Sequence, residues 1–301
     1  MPAGRYAPSP SGPLHLGNLR TALLAWLFAR ASRSPFLLRI EDLDPQRSRR
    51  EHEDGQLADL HAIGIDWDAE PVRQSERTRL YEEAVRRLQV EGIVYPCWCT
   101  RAEIQLAAQA PHGPLPEGAY PGTCRQLSAP ERARREREAG RPPSLRLDAG
   151  DATMEFADRL HGTVQGSVDD FLLQRWDGTF SYNLAVVVDD ADQGIGEVVR
   201  GDDLLDSTAR QLLLGSLLGV PAPRYAHVPL VLGADGRRLA KRHGAITLAD
   251  RKALGQGPAE ILSWMAASSG LAEPGERVTA DGLIDRFDPG RIPRQATVLS
   301  D

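Results

Sequence analysis

Apolar positions along the chain fall into two periods. Leu16, Leu19, Leu23, Trp26 and Leu27 recur at helical spacing and predict a helix from Leu16 onward. Before it, Arg5-Tyr6-Ala7 reads as a short strand and Pro8 to Pro13 as a turn-rich connection. Residues 36–40 (Phe-Leu-Leu-Arg-Ile) read as a buried strand that ends in the acidic Glu41-Asp42. Helical patterns follow over 56–61 and 78–88, the second closed by Gly92. Further on, 144–147, 153–156 and 170–176 read as short strands. Asp177-Gly178 is a hairpin turn signal that predicts a strand over 180–188. Residues 197–199 resume the sheet. A helix with the face Leu205, Ala209, Leu212, Leu213 and Leu217 follows and ends at Gly219 and Pro221. Residues 224–232 read as a strand, Asp235-Gly236 as a turn, and 258–268 as the last good helix. Strand–helix alternation of this kind predicts an α/β fold with a parallel sheet and crossover helices.

Composition narrows the class. The 301 residues are 41% hydrophobic and 26% charged, as in ordinary soluble globular proteins. No apolar run approaches the roughly 20 residues of a membrane span, and the start lacks a secretory pattern. Three cysteines cannot all pair, so a reducing, cytoplasmic setting is expected. A net charge of -6 argues against a protein that coats nucleic acid, but leaves room for an RNA-binding enzyme with one basic face. The stretch 131–138 reads as a solvated helix laced by Glu131–Arg135 and Arg134–Glu138 pairs.

Three constellations carry candidate chemistry. His15-Leu16-Gly17-Asn18 sits at a strand–turn–helix junction, where unpaired amides and the helix dipole favour phosphate. Gly17 would let a nucleotide lie close to the backbone, and His15 would add a hydrogen bond as charge develops at phosphorus. The second is the loop 236–244, which holds Lys241. Only Lys241 and Lys252 among 36 basic residues are lysine. A compact ammonium on a flexible stem suits a departing pyrophosphate. The third is Cys97-x-Cys99, followed by Tyr120-x-x-x-Cys124. Three thiols within 28 residues invite a tetrahedral zinc site, with His112 the fourth ligand on chemistry alone. Spacing alone leaves zinc and three reduced buried cysteines equally open. Thr100 and Glu103 form a capping-box pattern just after Cys99.

Residues 5–18 (Arg-Tyr-Ala-Pro-Ser-Pro-Ser-Gly-Pro-Leu-His-Leu-Gly-Asn) resemble the first signature of the glutamyl branch of class I aminoacyl-tRNA synthetases. Residues 238–242 match that family's lysine-bearing second signature. Residues 38–44, 181–190 and 199–203 resemble it too, so five motifs stand in the family's order between residues 5 and 244. Asn18 replaces a common histidine, and Arg238 and Ala240 replace a common lysine and serine. His15, Gly17 and Lys241 are kept. The resemblance implies ATP binding by His15, Gly17, Asn18 and Lys241, with Mg²⁺ accompanying ATP. It implies L-glutamate binding by Arg5, Tyr6, Ala7, Pro8, Ser9, Glu41, Tyr182 and Arg200. Such a set suits two carboxylates and one ammonium. Glu41 would take the amino group and Arg5, supported by Tyr182, the side-chain carboxylate. Arg200 would take the remaining acidic group or orient the substrate. For the metal, the resemblance points to Tyr120 rather than His112 beside Cys97, Cys99 and Cys124, and to structural Zn²⁺.

The fold implied is a Rossmann-like, doubly wound parallel sheet with an inserted zinc-bearing α+β subdomain. The expected divisions are 1–94 and 185–244 for the two catalytic halves, 95–184 for the insertion, and 245–301 for a short helical end. Only 57 residues follow Gly244, too few for a large anticodon-reading region. That brevity resembles the glutamyl-queuosine tRNA(Asp) synthetase family, which activates glutamate without tRNA and esterifies queuosine in the anticodon loop of tRNA(Asp). A monomer without membrane contact is expected.

Overall fold

A computed structural model describes residues 1–108, 119–239, 243–244 and 246–299. The chain opens with β1 (Ala3–Tyr6), α1 (Leu16–Ala31), β2 (Phe36–Ile40), α2 (Arg50–Ala62), β3 (Val72–Arg73) and α3 (Thr78–Val90). There follow β4 (Val94–Cys97), α4 (Arg101–Ala108), α5 (Ala129–Ala139), β5 (Ser144–Leu147), β6 (Thr153–Asp158), β7 (Gly162–Ser167) and β8 (Leu172–Gln174). Then come α6 (Tyr182–Asp192), β9 (Ile195–Gly201), α7 (Ser207–Leu217), β10 (Arg224–Val228) and β11 (Val231–Leu232). The chain closes with α8 (Leu248–Ala253), α9 (Pro258–Ser268), α10 (Ala280–Ile284) and β12 (Thr297–Val298).

The main sheet runs β3-β2-β1-β9-β10-β6-β7. Its pairs are parallel except β6–β7. Its central strands are covered on both faces, which is why they read as apolar runs rather than alternating ones. Val199, Ala226 and Val228 face the larger core with α1, α9 and α10, while Val198 and Tyr225 face the opposite side with Leu212 of α7. Helix α1 is buried on nearly every side, as a helix apolar all round must be. A separate antiparallel sheet, β4-β5-β8, holds the start of the cysteine segment.

The structure revises several sequence expectations. Residues 180–188 are not a strand. Ser181 caps α6 by accepting from the Leu184 amide at 3.3 Å, and the β-branched run is buried against α3 and α7 as helix. Burial on one side overrides the strand preference of valine. The expected strand 224–232 is two strands, because Pro229 has no amide to continue the ladder. The α7 face is rotated from the expected one. Thr208, Ala209, Gln211, Leu214 and Gly215 are its buried residues. Arg134–Glu138 pairs at 3.7 Å as expected. Glu131 instead caps Ser128, and Arg135 reaches Glu103. The Thr100–Glu103 capping box is present.

Candidate active site

From β1 the chain crosses to β2 on one side, and β9 later inserts on the other. In open α/β sheets such a reversal leaves a crevice beyond the carboxyl ends of the strands. Here it opens as a cleft of about 610 Å³. Arg5 and Tyr6 end β1, Ala7, Pro8 and Ser9 follow it, Glu41 follows β2, and Arg200 nearly ends β9. Tyr182 opens α6, and His15, Gly17 and Asn18 open α1. All of these line the cleft. Residues distant in sequence converge because each follows the same end of a parallel strand or opens the next helix.

The charged floor is already internally paired. Arg5 donates to both oxygens of Asp190 at 3.3 and 3.4 Å. Arg39, fully buried, donates to Asp190 at 2.7 Å and lies 3.5 Å from Glu41. Asp189 accepts from Arg77 at 2.6 Å, Gln74 at 2.8 Å and the Tyr81 hydroxyl at 2.9 Å. The last turn of α6 thus staples the arginines of β1 and β2. Burial raises the Glu41 carboxyl above its ordinary range, against the pull of Arg39 and Arg5. Tyr182 does not support Arg5 by a direct bond. Its hydroxyl accepts from Arg200 at 3.3 Å.

Arg200 is held on every side. Its Nε donates to His227 Nε2 at 3.0 Å, one terminal nitrogen to Gln211 at 2.8 Å, and the other to Thr208 at 2.9 Å. His227 in turn meets Asp158 at 2.7 Å through Nδ1. Burial lowers the pKa of His227 despite that carboxylate. Burial pushes Asp158 the other way, but the His227 bond and the Leu160 and His161 amides outweigh it and hold Asp158 below its ordinary range.

At the other end of the cleft His15 caps α1. Its Nδ1 accepts the Asn18 amide at 3.2 Å, while Asn18 Oδ1 accepts the His15 amide at 3.3 Å. The Leu16 amide is bonded to Ile246. Two of the first three amides are therefore engaged within the protein. Because Nδ1 accepts, the ring proton of the neutral imidazole sits on Nε2. Burial, then the Arg238 charge, lowers the His15 pKa to about 4. A Cβ at Gly17 would stand 3.1 Å from His15 Nδ1 and 3.3 Å from Val231. Close packing of this ring therefore accounts for the glycine, beside any nucleotide approach. Arg238 pairs with Asp203 across the cleft mouth. Lys241 lies outside the described residues, as do Ala240 and His112.

Cys97, Cys99 and Cys124 converge, with their sulfurs all within 4.8 Å of one another. The Tyr120 hydroxyl lies 3.4 Å from Cys97 Sγ and 3.5 Å from Cys99 Sγ, and accepts the Cys124 amide at 2.9 Å. Arg146 stacks 3.8 Å over the Tyr120 ring and donates to Cys97 Sγ. Hydrogen bonds from Cys124 and Cys99 hold the Cys97 thiol well below its usual range. Three soft donors and a phenol oxygen at such separations fit a tetrahedral cation site.

Sequence reasoning missed Asp158, His227, Thr208, Gln211, Arg39 and Asp190. The available signal was polarity within apolar elements, such as His227 in the strand 224–232. Strand register, which sets His227 opposite Arg200, was not readable.

Comparison with known proteins gives the family. The family model described as tRNA synthetases class I (E and Q), catalytic domain, matches residues 3–295. A protein of Nocardia farcinica named Glutamyl-Q tRNA(Asp) synthetase is 59% identical over 300 residues, covering 99% of this chain and 93% of that one. One of the same name from Symbiobacterium thermophilum is 50% identical, covering 98% and 95%. Among solved structures, a glutamate tRNA ligase from Elizabethkingia meningosepticum in complex with its amino acid superposes with a TM-score of 0.84. It is 29% identical and covers 99% of this chain and 67% of that one.

Proposed function

The chain belongs to the class I tRNA synthetase family of the E and Q type and is an enzyme of that family, and on that premise we propose that it activates L-glutamate with ATP and transfers it to queuosine in tRNA(Asp). The observation that carries the activation step is one cleft with Arg5, Glu41, Tyr182 and Arg200 at its floor and His15 at a helix start. The transfer step is supported by the names of relatives that align along nearly their whole length.

Glu41, beyond the end of β2, receives the substrate ammonium. The Arg5 and Arg200 side offers positive charge and the Tyr182 hydroxyl to the carboxylates. One glutamate carboxylate oxygen attacks the α-phosphorus. That P–O bond forms as the bond to the β-phosphate oxygen breaks, and pyrophosphate leaves with the electron pair. The His15 Nε2–H donates to phosphate oxygens without titrating, and Lys241 follows the leaving group. Mg²⁺ bound with ATP would supply further offset of phosphate charge. A queuosine ring hydroxyl then attacks the carbonyl carbon, AMP leaves, and the hydroxyl proton passes to solvent. No side-chain nucleophile takes part.

The experiment is glutamate-dependent ATP–pyrophosphate exchange without tRNA, followed by transfer to queuosine-modified tRNA(Asp) and to tRNA(Glu). Exchange with glutamate and labelling of the modified tRNA(Asp) are expected. Lack of exchange across magnesium concentrations refutes the activation reading. Labelling of tRNA(Glu) alone refutes the transfer reading.

The sulfur cluster supports a structural Zn²⁺ bound by Cys97, Cys99, Cys124 and Tyr120. Bound there, the ion would neutralise clustered thiolates and tie the segment around Cys124 to β4. Protein produced with zinc available should carry about one equivalent. A metal-free protein of unchanged stability would remove the claim.

A further inference from the structure

Arg200 has five N–H donors, and all five meet acceptors within the protein. Three contacts are short and face inward, to His227 Nε2 at 3.0 Å, Gln211 at 2.8 Å and Thr208 at 2.9 Å. Two are long, to the Tyr182 hydroxyl at 3.3 Å and the Leu204 carbonyl at 3.4 Å, and both of those residues line the cleft. The inner set fixes the guanidinium plane, while the outer edge holds the donors a substrate carboxylate can take over.

Behind this arginine the bonding has a direction. Asp158 can only accept when ionised, so the proton of His227 sits on Nδ1, 2.7 Å from that carboxylate. Nε2 is then a lone-pair acceptor. It receives Arg200 Nε–H and lies 3.2 Å from the Thr208 hydroxyl. Asp158 is itself fixed, since its Oδ1 accepts the Leu160 and His161 amides at 2.9 and 3.0 Å. His227 and Arg200 are direct partners in the β9–β10 register, so their side chains share one face. Both side chains of the relay are shut away from solvent, with Asp158 4% and His227 0% exposed. Such buried polarity is costly unless every group is paired in a definite sense. An apolar pair would satisfy the core, and only the arginine needs this one.

We propose that Asp158 and His227 are positioning residues for substrate recognition: they lock the imidazole in the Nδ1–H tautomer so that Nε2 aims Arg200 at the amino-acid carboxylate. This rests on the glutamate-activating reading above. Neither residue touches substrate. Both act through Arg200.

Asp158→Asn tests the direction of the relay. The carboxamide oxygen of that variant keeps the Leu160 and His161 amides, which turns its NH₂ toward His227 Nδ1. That nitrogen must then accept, the ring proton moves to Nε2, and it confronts the Arg200 N–H. The glutamate KM in ATP–pyrophosphate exchange should rise about 10- to 100-fold, as for other lost orienting partners. The ATP KM should stay within about twofold, because the His15 end is untouched. His227→Gln keeps an acceptor near the Nε2 position and should retain much of the glutamate affinity, whereas His227→Leu should lose it. The ¹⁵N shifts of His227 in the wild-type protein should report the Nδ1–H tautomer.

A folded His227→Leu with unchanged glutamate KM overturns the proposal, as does an equal rise in both KM values or a wild-type Nε2–H tautomer. Should every variant fail to fold, the wild-type tautomer decides. Absence of glutamate exchange in the wild type is seen before any variant is compared, and it fells the parent reading rather than the relay.

Discussion

His15 illustrates how one side chain is set for two tasks. As helix cap it must offer a lone pair at Nδ1 to the Asn18 amide, and for the phosphate contact proposed above it would have to keep a proton on Nε2. Both hold only while the ring is neutral, which burial and Arg238 secure by lowering its pKa from the ordinary 6.5 to about 4. The sign for stability follows. Between those values the unfolded chain binds a proton that the folded one refuses, so this residue costs stability as pH falls from about 6.5 to about 4 and costs none above. A ring titration by NMR should therefore show His15 neutral at pH 5.5. A midpoint near 6.5 would contradict the buried cap. Arg39 and Asp190 show a different logic at the same scale. Each carries a charge inside the protein, which is tolerable because Asp190 is shared by Arg5 and Arg39.

At the level of elements, legibility tracked whether the local signal and the tertiary demand agreed. The strand 36–40 and the helices starting at Leu16 and Pro258 were readable, because period and punctuation matched the burial they meet. The segment 180–188 was not. Its valines favour strand locally, and only packing of Ala185 and Val186 against α3 and α7 makes helix the better burial. The same error hid part of the site. Read as a strand, 180–188 would alternate Phe180, Tyr182, Leu184, Val186 and Val188 on one face and leave Asp189 and Asp190 beyond its end. As helix it sets Tyr182 at its start and carries Asp189 to Arg77 and Asp190 to Arg5 at its last turn, with Arg39 lying between the two carboxylates. The α7 face was misread for a related reason. Thr208 and Gln211 look solvent-facing in sequence, but they turn inward because Arg200 supplies donors there. Most candidate residues inside the matched motifs could be named, but Arg39 and Asp190 could not, because their pairing is set by the fold. The partners on β6, α7 and β10 could not be named either, since register and helix rotation are properties of the assembled fold.

Across the whole molecule, the sulfur cluster and the wall of the cleft are joined through one carboxylate. Asp169 precedes β8 and accepts the Tyr120 amide at 2.9 Å. Its other oxygen pairs with Arg210 of α7 at 2.6 Å. Helix α7 also carries Thr208 and Gln211, the two residues that grip Arg200. The placement of Tyr120 therefore bears on the helix that orients the arginine, although the cluster lines no part of the cleft. Asp169→Asn should break this link, because a carboxamide has one oxygen where the carboxylate used two, and its NH₂ would face one of the donors. The glutamate KM should rise roughly two- to tenfold, the range for a broken contact in a packed network. The metal content, whatever ion the cluster proves to hold, and the ATP KM should stay unchanged. Measuring metal content beside exchange kinetics separates this from loss of the ion. An unchanged glutamate KM would mean that α7 holds its place through apolar packing on Ala209 and Leu214 alone, with the sulfur cluster and the cleft energetically independent.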